Sequence, residues 1–164
     1  MAINFPNSKV LGEVGSKLSA TGRIIQTVHT TYTSALQTTS TSPVDYFTSS
    51  AITLTNASNI ILIDWHSDNR VNDYGDGQWN LYYMDLVHVN SGTQIAYSGY
   101  RGEYTYNIRH FHRSATHSPG SVGPHTYKIR GWCYNSAYNT SFNGTGGWVG
   151  NDNIAYIRLT EIAV

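Results

Sequence analysis

From Gly22 to Val164 the sequence runs as one short β-branched or aromatic segment after another, and no stretch keeps an apolar period of 3.6 residues. "RIIQTVHTTYT" (23–33), "VDYFTS", "AITLT", "NIILIDWHS" (59–67), "QWNLYYMDLVHVN" (78–90), "TQIAYSGY", "YTYNIRHFHRS", "HTYKIRGWCYN" and "NIAYIRLTEIAV" each read as a strand between polar turns. Within 78–90, Trp79, Leu81, Tyr83, Val87 and Val89 share one face by alternation, against Asn80, Tyr82, Met84 and His88. All four prolines fall outside these runs, where they delete no ladder hydrogen bond. About eight or nine strands at short spacing predict an all-β sandwich or barrel over residues 22–164. Residues 1–21 do not join it: Pro6, Gly12 and Gly15 forbid an amphipathic helix, so this segment reads as an extended arm.

Charge is scarce. Only 12% of the 164 residues are charged, against ~25% in an ordinary soluble domain, while the chain holds 13 Tyr and 4 Trp. Such a surface favours extensive contacts and predicts an oligomer or an adhesive face. Ten basic and ten acidic residues balance, so no long-range field draws the chain to nucleic acid or anionic lipid. The single cysteine, Cys133, makes no disulfide within the chain and, between Trp132 and Tyr134, reads as a small buried hydrophobe. "MAINFPNSKV" lacks the basic and apolar regions of a secretory signal, and no apolar run reaches the ~18 residues of a membrane span. No membrane insertion is expected.

Five short motifs carry a resemblance. The opening "MAINFPNS", then "GRIIQTV", "TTSTSPVD" followed by "SAITLTNASNIILI", the late "HTYKIRGW", and the closing "IRLTEIA" resemble small virion and tail-fibre-like proteins of tailed phages, of the marine and cyanobacterial type. The resemblance spans nearly the whole chain and is loosest over 65–105; none of its motifs is catalytic. It implies a jelly-roll β-sandwich like the trimeric tumour-necrosis-factor and C1q heads, a homotrimer, and a place in the virion, assembled in the host cytoplasm. It also implies other virion proteins, of capsid or tail, as partners, with host-surface glycan as a further contact. A capsid decoration or head-fibre protein without an obligatory receptor, and a free carbohydrate-binding lectin-like domain, are the alternative readings.

Candidate sites follow from residue chemistry. In the arm, Ile3, Phe5, Val10, Leu11, Val14 and Leu18 are apolar side chains with no core of their own, which suits docking on a virion protein. Exposed rings set among small polar residues suit sugar faces. Tyr138, Phe142 and Trp148 in the loop 135–153, with Asp73 and Tyr74 in "SDNRVNDYGDG", are therefore the candidate glycan contacts. The latter loop also holds Asp68, Asn69, Asn72 and Asp76, but its glycines and missing terminal Glu fail the EF-hand spacing, which favours a solvated turn over calcium. Asp64 and Asp85 stand inside apolar strands as the carboxylates a glycosidase would need, yet each equally suits a bond to a neighbouring strand. With no nucleophile elbow, phosphate loop or metalloprotease helix, no enzyme is expected.

Finally, His110 and His112 in "RHFHR" share one strand face while Phe111 takes the other. Three readings stay open: a transition metal held by this pair on a threefold axis, a wet or intersubunit polar face, or rings bonded to Tyr or Thr. No other cofactor is expected.

Overall fold

The computed structural model describes residues 22–72, 80–102, 109–137, 139–143 and 154–164. Twelve strands cover them: β1 (Ile24–Tyr32), β2 (Leu36–Thr38), β3 (Val44–Thr48), β4 (Ile52–Leu54), β5 (Ile60–Asn72), β6 (Asn80–His88), β7 (Gln94–Gly102), β8 (Arg109–His117), β9 (Gly123–His125), β10 (Tyr127–Cys133), β11 (Asn139–Phe142) and β12 (Ala155–Ile162). One sheet runs β1-β12-β5-β11-β2, with β8 on the free edge of β5; the other runs β3-β10-β6-β7, and β4 pairs with β9. All pairings are antiparallel. The first long strand thus lies beside the last, and the next inward pair, β3 and β10, lies together in the opposite sheet. That nested wrapping is a jelly roll.

The core follows from alternation. In β5, Ile61, Ile63 and Trp65 point inward and are buried, and Ile157 and Leu159 of β12 meet them from the next strand. From the second sheet come Tyr82, Met84 and Leu86 of β6, with Tyr127 and Ile129 of β10. The face of β6 that carries Tyr83 and Val87 is therefore the outer one, although it reads as the more apolar in sequence.

Three short strands escape the sequence pattern, and one runs longer than it. β11 lies inside the segment read as a loop, while β2 and β9 span three residues each. β9 contains Pro124, contrary to the expectation that every proline avoids a strand; it pairs there with Thr53 of β4 in a two-stranded ribbon, an edge position that proline tolerates. β5 extends to Asn72, so Asp68 and Asn69 are strand residues and not the start of a calcium or turn loop. Their polarity hid this. Ser67 and Asn69 face the core and satisfy each other, Ser67 Oγ donating to Asn69 Oδ1 at 2.7 Å and Asn69 Nδ2 reaching Met84 Sδ at 3.0 Å. Phe142, expected as a glycan contact, is wholly buried. Its ring sits so tightly against Gly131 that a Cβ there would come within 2.4 Å of Cζ. Cys133 is buried as expected, with Sγ 3.1 Å from the carbonyl of Thr38.

One buried carboxylate joins the first and last of the described strands. Glu161 of β12 is fully buried and faces inward. Its Oε1 accepts from Asn59 Nδ2 (2.6 Å), Thr55 Oγ1 (2.7 Å) and Thr55 N (2.8 Å), and Oε2 accepts from Gln26 Nε2 (2.6 Å). Burial pulls its pKa up, but the hydrogen bonds from Gln26, Asn59 and Thr55 outweigh burial and hold it at about 2. In the unfolded chain it returns to about 4.5. Its contribution to stability is therefore complete above about pH 4.5 and is lost as pH falls toward 2. Glu161→Gln turns an acceptor into an amide that faces other donors, and should cost on the order of 3 kcal/mol in urea unfolding at pH 7. The same variant should flatten the stability profile between pH 4.5 and 2; an unchanged profile would show that the acid sensitivity lies elsewhere.

Candidate functional site

The outer face of the four-stranded sheet carries an aromatic platform. Tyr83 of β6, Tyr97 of β7, and Trp132 and Tyr134 at the end of β10 converge there. Tyr83 centres lie 5.8 Å from Tyr97, 5.5 Å from Trp132 and 6.4 Å from Tyr134. The register explains the arrangement: Tyr83 stands opposite Gly99 on one side and Trp132 on the other. With no side chain at Gly99, the Tyr83 ring packs against that backbone, 3.1 Å from where a Cβ would be. Tyr97 and Tyr134 are 56% and 61% exposed, so the platform faces solvent. Beside it, Asp85 is clasped by the Nε and NH2 groups of Arg130, with Gln94 Nε2 donating at 2.9 Å. Rings next to a fixed polar cluster match the chemistry of a sugar, which has apolar C–H faces and hydroxyl edges.

The larger sheet has a polar outer face. Asp64 of β5 takes Ser114 Oγ at 2.6 Å and Arg158 NH2 at 2.8 Å. Burial raises its pKa, but the hydrogen bonds of Ser114 and Arg158 and the Arg158 charge win and leave it below the usual carboxylate range. Asp64 and Asp85 thus lie on opposite outer faces of the sandwich, each held by an arginine. They do not form an acid–base pair.

Of the histidine pair, His110 bonds Asp68 Oδ1 through Nδ1 at 2.7 Å, and the same oxygen meets His66 Nε2 at 3.1 Å. His112 stands across from His66 in the β5–β8 register and lies near the Tyr156 ring, outside the group that converges on Asp68. The two candidates share a face, as their spacing requires, and the donors that gather at His110 are His66 and Asp68. The real partners, His66 and Asp68, were missed because only the register of β5 against β8 brings them there. Asp73, Tyr74, Tyr138, Trp148 and the arm residues Ile3, Phe5, Val10, Leu11, Val14 and Leu18 lie outside the described residues.

A second histidine cluster is internal. His88 Nε2 lies 3.1 Å from His125 Nδ1, and His125 Nε2 donates to the Ser121 carbonyl at 2.9 Å. His88 Nδ1 is 2.8 Å from Ser91 Oγ, and His117 Nδ1 is 2.8 Å from the Tyr127 hydroxyl. With neutral rings His125 donates to the backbone and accepts from His88, while His88 Nδ1 and Thr93 Oγ1 both lie 2.8 Å from the Ser91 hydroxyl. Burial, then the charges that His117 and His125 would carry, push the His88 pKa down to about 4. Burial and His125 also lower that of His117.

No protein-family model matches the sequence, and no curated protein matches it. Among solved structures, the chain is similar to the crystal structure of an infectious bursal disease virus VP2 subviral particle, at 9% identity and a TM-score of 0.42. That match covers 85% of this chain and 39% of the other. The jelly-roll assignment stands on the strand order above.

The internal cluster makes stability depend on pH near neutrality. An unfolded His88 takes a proton near pH 6.5 and the folded one only near 4, so its contribution is complete above about 6.5 and falls as pH drops to 4. His88→Gln should shrink that slope in chemical denaturation without abolishing it, since His117 is held down as well. A slope unchanged from wild type would assign it to other groups.

Proposed function

We propose that this chain is a structural virion protein of a tailed phage. It forms a homotrimeric jelly-roll head, docked to the particle by the arm of residues 1–21 and meeting host-surface glycan with exposed aromatic rings. The observation that carries the reading is the solvent-facing platform of Tyr83, Tyr97 and Trp132 on the sheet, extended by Tyr134 just past the end of β10. Support for assembly comes from the other outer face. There Ile24, Ile162 and Ile60 lie in register across three strands, and Ile24 is 63% exposed. A stripe of aligned isoleucines in a charge-poor chain is what a symmetric neighbour covers. The motifs of the resemblance supply the virion context, and the separation of Asp64 from Asp85 supports a non-enzymatic role.

Light scattering on the full chain at micromolar concentration should give three times the chain mass, and Ile24→Lys should shift it toward the monomer. Deleting residues 2–21 should leave the head trimeric and abolish incorporation into particles. Tyr97→Ala with Tyr134→Ala, both at exposed positions, should leave thermal stability within a few degrees of wild type and weaken binding to host polysaccharide at least tenfold. A monomer mass sinks the trimer, normal incorporation of the truncated chain moves docking onto the jelly roll, and unchanged binding removes the platform from glycan contact.

A further inference from the structure

We propose that His66, Asp68 and His110 form a binding site for a single late first-row divalent cation of the zinc class, contained within one chain. Among the described residues these three offer donor atoms, His66 Nε2, an Asp68 carboxylate oxygen and His110 Nδ1, that all lie within 4.8 Å of one another. The fold creates the site from two neighbouring strands. His66 and Asp68 are two apart on β5 and so share its outer face, and the β5–β8 register sets His110 directly opposite Asp68.

The arrangement has the features a cation needs. Asp68 is a nearly buried carboxylate, its side chain 8% exposed, while the two imidazoles lie over it, His66 partly covered and His110 77% exposed. The His66 and His110 rings are nearly parallel, 6.2 Å apart at 15°, so their donor atoms approach the carboxylate from adjacent directions. Tyr156 backs the His66 ring at 5.6 Å and limits its rotation. Without metal, both nitrogens carry hydrogen, because an ionised carboxylate only accepts. Entry of a cation moves each of those protons, through solvent, to the other nitrogen of the same ring and frees the lone pairs facing Asp68. Tetrahedral ligands at about 2.0–2.1 Å sit about 3.3 Å apart. The present N···O distances of 2.7 and 3.1 Å therefore need to open by about 0.6 and 0.2 Å. Two imidazoles and one carboxylate favour zinc, cobalt, nickel or copper over calcium and magnesium, which want more oxygen ligands. With three protein ligands and an exposed His110, the remaining position opens to solvent. The ion would also staple β8, whose backbone ladder among the described strands is with β5, to the centre of its sheet.

The test uses the tag-free full chain stripped with EDTA and titrated with Co2+, then Zn2+. Wild type should take one Co2+ per chain with visible d–d absorption, release it to Zn2+, and gain thermal stability with Zn2+ that EDTA reverses. His110→Ala, at a largely exposed position, should fold normally and lose at least about tenfold in affinity. His66→Ala and Asp68→Asn should do the same, whereas His112→Ala should bind like wild type. The proposal is overturned if wild type holds Co2+ no more tightly than His110→Ala, or if His112→Ala loses as much as His110→Ala. The second result would return the ion to the His-x-His pair.

Discussion

The fold depends on Glu161 being a charged group that needs no charged partner in the described structure. Its two oxygens accept four hydrogen bonds from Gln26 in β1 and from Thr55 and Asn59 in the turn between β4 and β5. Gln26 Nε2 also donates to the Thr53 carbonyl at 2.6 Å, which draws β4 into the same knot. A jelly roll must bring its first strand beside its last, and this residue ties that pair of strands to the turn by which the chain enters β5. A hydrophobe there would leave the Thr55 amide without its acceptor and Asn59 Nδ2 with only the longer bond to Thr55 Oγ1 at 3.3 Å, a cost that a slip of register would share. Two motifs far apart in sequence, "SAITLTNASN" and "LTEIA", are therefore halves of one structural device.

Electrostatics elsewhere is used sparingly. On each sheet a carboxylate of a central strand, Asp64 in one and Asp85 in the other, is clasped on the outer face by an arginine from the adjacent strand. A bidentate arginine–carboxylate pair fixes register as well as charge, because a shift by one residue would send the carboxylate into the core. In a chain with only ten acidic residues, these two positions decide which sheet faces stay polar near their centres. The apolar and aromatic surface is displaced to one end of each face: isoleucines on one sheet, rings on the other.

The sequence disclosed what alternation controls and concealed what register controls. β5 and β10 were legible because their inward residues are apolar and β-branched or aromatic, and the opposed faces of His110 and Phe111 followed from a period of two. Where inward positions are polar, as at Ser67 and Asn69, the same period was invisible and half a strand read as loop. β11 was lost for the same reason: Thr140 and Ser141 are buried, and only Phe142 signals a core. In β6 the period was clear but the inner face was not, since Tyr83 and Val87 on one side compete with Tyr82, Met84 and Leu86 on the other. The aromatic platform and the Asp68 cluster each draw on two or more strands whose pairing no local pattern encodes, so residues could be nominated singly but not assembled.

The edge strand β8 shows how the same constraint shapes the surface. An unpaired strand edge invites another chain to add to it, and proteins blunt such edges with charged or bulky polar side chains. Here the outward row of β8 is His110, His112, Ser114 and Thr116, and two of these reach back to carboxylates of β5, His110 to Asp68 and Ser114 to Asp64. Those bonds pull the edge toward its own sheet, and they do so across a single strand boundary. β5 must then carry the acceptors for β8, the carboxylate for Arg158 of β12 and the inward apolar row at once. Over residues 60–69 its side chains alternate between these duties, and β5 is the longest strand described.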